Sequence, residues 1–135
     1  MKKKGRRATS RFAAGRKSVL VVLFIPRVQR DGITPIDQES WVTLALEMFG
    51  GVFGGATAYP RARGIWRDDE NQGLLVKDEP VIVHCYTTPQ DINDPAKLRK
   101  LYAFCSKMGR DGRQGEVGLV IGDEYFSIRD FTEES

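Results

Sequence analysis

The chain has few residues of the kinds that bind metals or form disulfides. Among its 135 residues there are one histidine, His84, and two cysteines, Cys85 and Cys105. There is no Cys-x-x-Cys pair and no acidic loop with calcium spacing, so we expect neither a metal site nor a bound cofactor. Two cysteines are too few for a disulfide framework, and we expect both to be buried free thiols in a reducing compartment.

Long apolar runs are also missing. The run Val19–Ile25 has seven residues and ends at Pro26, whereas a transmembrane helix needs about 20. A basic region before this run imitates a secretory signal, but no small-x-small cleavage site follows it. A buried β-strand explains the run better, and we expect a cytoplasmic protein with no membrane partner.

Two common catalytic patterns are absent as well. The glycines at 50–51 and 54–55 follow an apolar helix, and no Gly-Lys-Ser or Gly-Lys-Thr comes after them, which excludes a nucleotide P-loop. They are typical of a helix end packed closely on a sheet. His84 and Cys85 are neighbours in a predicted strand and lie on opposite faces, so they cannot act together as base and nucleophile.

Acidic residues are absent from the first 17 positions. This segment carries eight of the 21 basic residues, while residues 18–135 hold 13 basic and 18 acidic residues, a net charge of −5. We expect residues 1–17 to form a disordered basic arm and residues 18–135 to form a single domain. The arm would contact nucleic acid without sequence preference, or an acidic protein surface; a solubilising tail and a mis-chosen start codon are the alternatives. The cations are Lys2, Lys3, Lys4, Arg6, Arg7, Arg11, Arg16 and Lys17.

The domain alternates between strand and helix patterns. Their order is strand, helix, strand, strand, helix, strand, which predicts an α+β, ferredoxin-like split β-α-β-β-α-β fold with two helices on one face of an antiparallel sheet. Ile82, His84 and Tyr86 would lie on the uncovered face, where we expect another copy or a partner protein to dock. The predicted strands are 18–25, 56–68 with an interruption near Pro60, 74–88 with a bend around Asp78-Glu79-Pro80, 116–121 and 125–131. The predicted helices begin at Thr34-Pro35 and Asp94-Pro95 and end at glycines 50–55 and Gly109. The predicted buried face of the first helix consists of Trp41, Leu44, Ala45, Met48, Phe49 and Val52.

A short series of motifs resembles a known family. Glu39-Ser40-Trp41, Phe53-Gly54-Gly55-Ala56-Thr57 and Gly64-Ile65-Trp66-Arg67-Asp68, followed by Glu79, are similar to the F-x-G-x-T … G-x-W … E series of an uncharacterised family of small bacterial ferredoxin-like α+β domains. The match covers roughly residues 20–130. It implies the fold and carries no activity with it.

One cluster is the best candidate for a site. Aromatic and guanidinium groups side by side can hold an anion or stack on a base, and a nearby carboxylate or His84 can transfer protons. In the alternative interpretation, Trp66 packs under the first helix and the arginines pair with Asp68, Asp69 and Glu70. The ligand-binding candidates are Tyr59, Arg61, Arg63, Trp66 and Arg67, and the catalytic candidates are Asp68, Glu79 and His84.

Two functions compete on this basis. With no complete catalytic constellation, the sequence favours a non-enzymatic binding or accessory protein that docks on itself or on a partner, its basic arm touching nucleic acid or an acidic surface. The alternative is a small enzyme or small-molecule (anion) binding protein, with a pocket near Trp66, Arg67, Glu79 and His84.

Overall fold

The computed structural model describes residues 11–13 and 17–132. Its elements are arranged around a central apolar strand and two amphipathic helices. A 3-10 turn at Asp69–Asn71 joins the third and fourth strands. In chain order the elements are β1 (Val19–Ile25), α1 (Gln38–Phe53), β2 (Thr57–Ala58), β3 (Gly64–Asp68), β4 (Leu74–Asp78), β5 (Val81–Thr87), α2 (Pro89–Ile92), α3 (Pro95–Asp111), β6 (Val117–Ile121) and β7 (Glu124–Ile128).

Five strands form one antiparallel sheet in the order β2-β5-β1-β6-β7, and β3 and β4 form a separate hairpin. β1 lies at the centre, with β5 and β6 as its antiparallel neighbours. The predicted α+β class with an antiparallel sheet is therefore confirmed. No helix of the described residues is long and apolar enough to cross a membrane.

The core lies between the helices and one face of this sheet. Val21, Leu23 and Ile25 of β1 are fully buried, and Leu23 is opposite Val83 in the register with β5. Cys85 and Cys105 are buried free thiols, as predicted. The other face of β5 carries Ile82, His84 and Tyr86, which are partly or fully exposed, as the alternation indicated.

Helix α1 begins three residues later than the predicted Thr34-Pro35 start. Asp37 is the N-cap, and its carboxylate accepts the Ser40 backbone N–H at 3.2 Å. The helix also continues through glycines 50 and 51, because the apolar face extends to the buried Phe53. It ends at Gly54, whose φ of +98° is the left-handed conformation that favours glycine.

The buried face of α1 also differs in part from the predicted one. Ala45 and Phe49 are buried as expected, and the Trp41 ring meets Phe104 of α3 edge to face at 5.8 Å. Leu44, predicted to be buried, has 44% of its surface exposed. Val42 takes its place in the core, so the buried stripe is rotated by part of a turn.

Helix α3 begins as predicted and ends later. Asp94 caps it by accepting the Lys97 N–H at 3.0 Å, and Pro95 occupies the first turn. Gly109 is not the C-cap; the helix runs to Asp111. The Phe131 ring lies directly against Gly109, so this position within the helix needs a residue without a side chain.

The predicted strand 56–68 is divided into β2 and β3, and the predicted strand 74–88 into β4 and β5. Pro60 and Pro80 lie at the two breaks. Since proline has no N–H to donate, neither segment can continue its ladder there. This division places the β3–β4 hairpin beyond the end of the five-stranded sheet.

Candidate functional site

The candidate ligand residues all lie on one broken β-ribbon. Residues 57–68 run antiparallel to residues 74–87, first within the sheet and then within the hairpin. Between the two ladders, Tyr59 N–H donates to the Ile82 carbonyl at 2.9 Å and Ala62 N–H donates to the Pro80 carbonyl at 2.8 Å. The site therefore has three parts: a sheet end, a junction and a hairpin.

At the sheet end, three aromatic side chains gather on the face that no helix covers. Tyr59 Oη and His84 Nδ1 share a hydrogen bond of 2.9 Å, and their rings meet edge to face at 5.0 Å. The Tyr86 ring lies 5.8 Å from His84 on its other side. Tyr59 and Tyr86 are 45% and 53% exposed, so the cluster is open to a ligand.

At the junction, a buried glutamine connects three segments. Gln38, in the first turn of α1, is 5% exposed. Its amide N–H groups donate to the carbonyls of Ile25 and Glu79, each at 3.1 Å. Its Oε1 accepts from Arg61 Nε at 2.9 Å. The Glu79 carboxylate points elsewhere and pairs with Arg27 at 3.4 Å.

The hairpin corrects one expectation, for Trp66, and agrees with another, for Arg67. Trp66 lies opposite Val76 with half of its surface exposed, so it does not pack under the first helix. The Arg67 guanidinium pairs with Asp69 at 2.5 Å, as the alternative interpretation proposed. The Asp68 carboxylate accepts the Glu70 N–H at 3.2 Å and thereby caps the 3-10 turn.

Asp78 is the site residue that the sequence analysis missed. It is paired with Gly64 in the hairpin register, and its carboxylate lies so close over Gly64 that a Cβ there would overlap it. Partial burial raises the pKa of Asp78 above its ordinary value. Alternation places Asp78 and Trp66 on the same hairpin face. No local sequence signal marks Asp78, because its contact with Gly64 exists only through the cross-strand pairing.

The structure thus brings some of the predicted residues together and separates others. Tyr59 contacts His84, and Arg61 joins Gln38 beside the Glu79 carbonyl. Trp66 and His84, expected to line one pocket, belong to different sheets. Arg63 makes no hydrogen bond or ion pair within the described part of the chain.

A second polar cluster lies at the opposite sheet edge. Glu116 accepts hydrogen bonds from Tyr125 Oη at 2.9 Å and from Ser127 Oγ at 2.7 Å, and Arg129 lies 3.2 Å from it. Burial and the Glu116 hydrogen bond raise the pKa of Tyr125 to about 12. Every member is bonded to another member, which indicates a cross-strand brace between β6 and β7.

An apolar groove of about 240 Å³ lies between α3 and the β6–β7 hairpin. Its lining carries no charge and offers no acid, base or nucleophile. Within residues 11–13 and 17–132, no three His, Cys, Asp or Glu side chains gather to hold a metal ion. The groove is lined by Leu98, Leu101, Tyr102, Leu119, Ile121, Phe126 and Ile128.

The predicted basic arm falls almost entirely outside the described residues. Of its eight cations, Arg11 and Lys17 are described, and both are exposed. Lys2, Lys3, Lys4, Arg6, Arg7 and Arg16 lie outside the described part of the chain.

Neither the comparison with protein-family models nor that with curated proteins gives a match. Among solved structures, the chain is similar to a phage SAM lyase in complex with S-methyl-5′-thioadenosine, with a TM-score of 0.60 and 18% identity. It is also similar to a phage SAM lyase in the apo state, with a TM-score of 0.61 and 18% identity. Each match covers 90% of this chain and 97% of the other.

This likeness corrects the functional prediction. The favoured prediction, a non-enzymatic accessory protein, is wrong by this comparison, because the solved structures with the same fold are of an enzyme. The alternative, a small enzyme or small-molecule-binding protein, is the better supported of the two. At 18% identity the likeness shows the fold and leaves the chemistry to the residues of this chain.

Proposed function

We propose that this protein is an enzyme that binds S-adenosylmethionine and cleaves it to release S-methyl-5′-thioadenosine. The observation that carries the proposal is the shared fold over 90% of the chain with a phage SAM lyase that holds this thioether nucleoside. The exposed aromatic and charged groups of the ribbon add chemical support. A shared fold alone does not imply a shared reaction, so these residues decide the case.

The ribbon suits a sulfonium nucleoside. The substrate carries a permanent positive charge on sulfur, and cations bind over exposed aromatic faces such as those of Trp66 and Tyr59. The adenine base has a flat face that stacks on the same kinds of ring. Asp78, on the Trp66 side of the hairpin, adds a carboxylate that attracts the sulfonium charge.

The reaction breaks one carbon–sulfur bond. The bond between sulfur and the Cγ atom of the amino acid part breaks, and its electrons remain on sulfur, which becomes a neutral thioether. A lyase adds no water, so the four-carbon fragment either closes on its own carboxylate or gives up a proton to a base. Asp78, whose pKa is raised by burial, is the carboxylate on the ribbon best suited to accept that proton.

The test is direct. The purified full chain is incubated with S-adenosylmethionine, and the nucleoside products are separated by chromatography and weighed by mass spectrometry. We expect S-methyl-5′-thioadenosine in excess of a protein-free control. Trp66→Ala should lower kcat/KM by about tenfold or more, consistent with the ~2 kcal/mol that a desolvated cation–aromatic contact contributes. Asp78→Asn should also lower kcat/KM, because the amide neither attracts the sulfonium charge nor accepts the proton.

The control is Lys77→Gln, on the opposite hairpin face beside Ile65, which should cleave at the rate of the unmodified chain. Substrate binding without product would identify a binding protein rather than an enzyme. If the chain neither binds nor cleaves S-adenosylmethionine, the proposal is overturned.

The ferredoxin-like description belongs to the same proposal. We assign it to the part of the sheet ordered β2-β5-β1-β6, with α1 following β1 and α3 following β5. The β3–β4 hairpin, the short α2 and β7 are then additions to this pattern. The resemblance to the F-x-G-x-T … G-x-W … E family is proposed on the same footing, since its motifs lie at the end of α1 and along the ribbon.

A further inference from the structure

We infer that Arg61, held in place by the buried Gln38, binds the carboxylate of the amino acid part of the ligand. The inference rests on the proposed function and deepens it, because it assigns a residue that selects ligands with a carboxylate over those without one. The starting observation is Gln38, a buried polar side chain whose amide nitrogen and oxygen both have hydrogen-bond partners.

Gln38 is nearly inaccessible, yet all of its polar atoms have partners. Its amide nitrogen bridges the carbonyl at the end of β1 and the carbonyl of Glu79, and its amide oxygen accepts Arg61 Nε–H. A buried polar group without such partners would be costly, so this geometry is tightly specified. Arg61 is therefore held at Nε by a rigid element rather than by solvent.

Arg61 is not neutralised within the described residues. No carboxylate of residues 11–13 or 17–132 forms an ion pair with it; the nearby Glu79 pairs with Arg27 instead. A guanidinium pairs most strongly with a carboxylate, through charge-assisted hydrogen bonds, and the described residues supply none to Arg61. With Nε bound to a neutral amide, Arg61 is exposed, and its terminal nitrogens have no hydrogen-bond partner within the described residues.

Its position fits the proposed ligand. Arg61 lies at the junction of the ribbon, two residues after Tyr59 of the aromatic cluster and three before Gly64 of the hairpin. A planar guanidinium with one fixed edge binds a carboxylate through two parallel hydrogen bonds. In S-adenosylmethionine the carboxylate lies beyond the sulfur, so a ligand whose base stacks on one aromatic group extends its amino acid part along the ribbon, where Arg61 is available to bind it.

The experiment compares two uncleavable ligands by titration calorimetry on the full chain. S-Adenosylhomocysteine has the carboxylate, and S-adenosyl-3-thiopropylamine is the same molecule without it. The unmodified protein should bind the first about tenfold more tightly, in line with a charge-assisted hydrogen-bonded pair. Arg61→Lys and Gln38→Met should reduce that preference severalfold and leave the affinity for S-adenosyl-3-thiopropylamine unchanged.

Arg63→Lys is the matched control, since Arg63 is exposed and lies two residues further along the same segment; it should keep the full preference. If Gln38→Met does not fold, Arg61→Lys alone decides. If the preference survives Arg61→Lys, or if the affinities for both ligands fall equally, the inference is overturned while the proposed function stands. If neither nucleoside binds the unmodified chain, this inference fails, and the cleavage of S-adenosylmethionine decides separately whether the proposed function stands.

Discussion

Tyr59 and His84 are joined across the uncovered face of the sheet by a 2.9 Å hydrogen bond between Oη and Nδ1. Tyr59 directly follows the two-residue strand β2, and His84 lies in the middle of β5 opposite Thr57. The bond therefore fixes the tyrosine ring at the sheet edge and orients the only imidazole of the sequence. Both groups face the side on which a ligand would bind.

Removing this bond should affect binding more than folding. Tyr59→Phe keeps the edge-to-face ring contact and loses the hydroxyl, and because both side chains are partly exposed we expect a stability change below about 1 kcal/mol. Affinity for S-adenosylhomocysteine should fall severalfold, since His84 loses its orienting partner. Calorimetric titration and thermal unfolding measure the two effects. Tyr86→Phe, in the same cluster, should change neither; an equal response of both variants would contradict the role given to Tyr59.

The sequence predicted the sheet better than the site, for physical reasons. In β1 and β5 one face is buried against the helices, and this dictates the alternation of side chains. The sequence could therefore assign Val83 to the buried face and His84 to the uncovered face. The course of the ribbon depends on Pro60 and Pro80 interrupting their two segments at the same level. That alignment requires pairing between residues that lie far apart in the sequence. The local sequence pattern could not show that Trp66 lies in a separate hairpin, half exposed and away from the core.

The network around Gln38 could not have been predicted by the same means. At the sequence level Gln38 is a polar residue near a helix start, and the expected N-cap at Thr34 placed it inside the helix on no particular face. Its burial depends on where β1 ends and where β5 begins. The position of Asp78 over Gly64 was not predictable for the same reason, because the hairpin pairs two residues that lie far apart in the sequence.

Gly109→Ala should destabilise the fold although it adds a better helix former. Alanine in a helix interior gains up to about 1 kcal/mol over glycine, but a Cβ at this position collides with the Phe131 ring. Overpacking of this kind costs about 1–3 kcal/mol, so we expect a net loss near 1 kcal/mol in urea unfolding. Gly50→Ala, where a Cβ meets open space within α1, should gain about 0.5–1 kcal/mol. Stabilisation by Gly109→Ala would show that Phe131 does not dock there.

Asp37 should contribute to acid sensitivity. Hydrogen bonds from the Ser40 side chain and backbone lower the pKa of Asp37 below its ordinary value. A lowered pKa in the folded chain means that the stabilisation is complete above the unfolded value, near 3.8, and is lost as the pH falls through the folded value. Asp37→Asn keeps an equally good N-cap without the titration. We expect unchanged stability at pH 7 and a shallower loss between pH 4 and 2, measured by urea unfolding; an identical pH profile would contradict this.

Both thiols should be unreactive in the folded protein. Burial raises the pKa of Cys85 to about 11 and that of Cys105 to about 12, so thiolate is scarce at pH 8 and access is blocked as well. Incubation with iodoacetamide at pH 8 should leave the native chain unmodified by mass spectrometry, while the urea-unfolded chain gains two adducts. Rapid labelling of one thiol in the native state would indicate local opening of the strand or helix that carries it.

The β3–β4 hairpin should mediate self-association, a different surface from the uncovered sheet face of Ile82, His84 and Tyr86 on which the sequence predicted docking. Ile65 and Leu75 are 60% and 63% exposed and lie on the hairpin face opposite Trp66. Exposed apolar clusters of this kind are typical of interfaces. Sedimentation equilibrium should give a mass above 15.2 kDa for the unmodified chain. The double variant Ile65→Asp, Leu75→Asp should shift it to the monomer, whereas Glu70→Gln, in the hairpin turn, should not. A monomer at all concentrations would show that the hairpin serves the ligand alone.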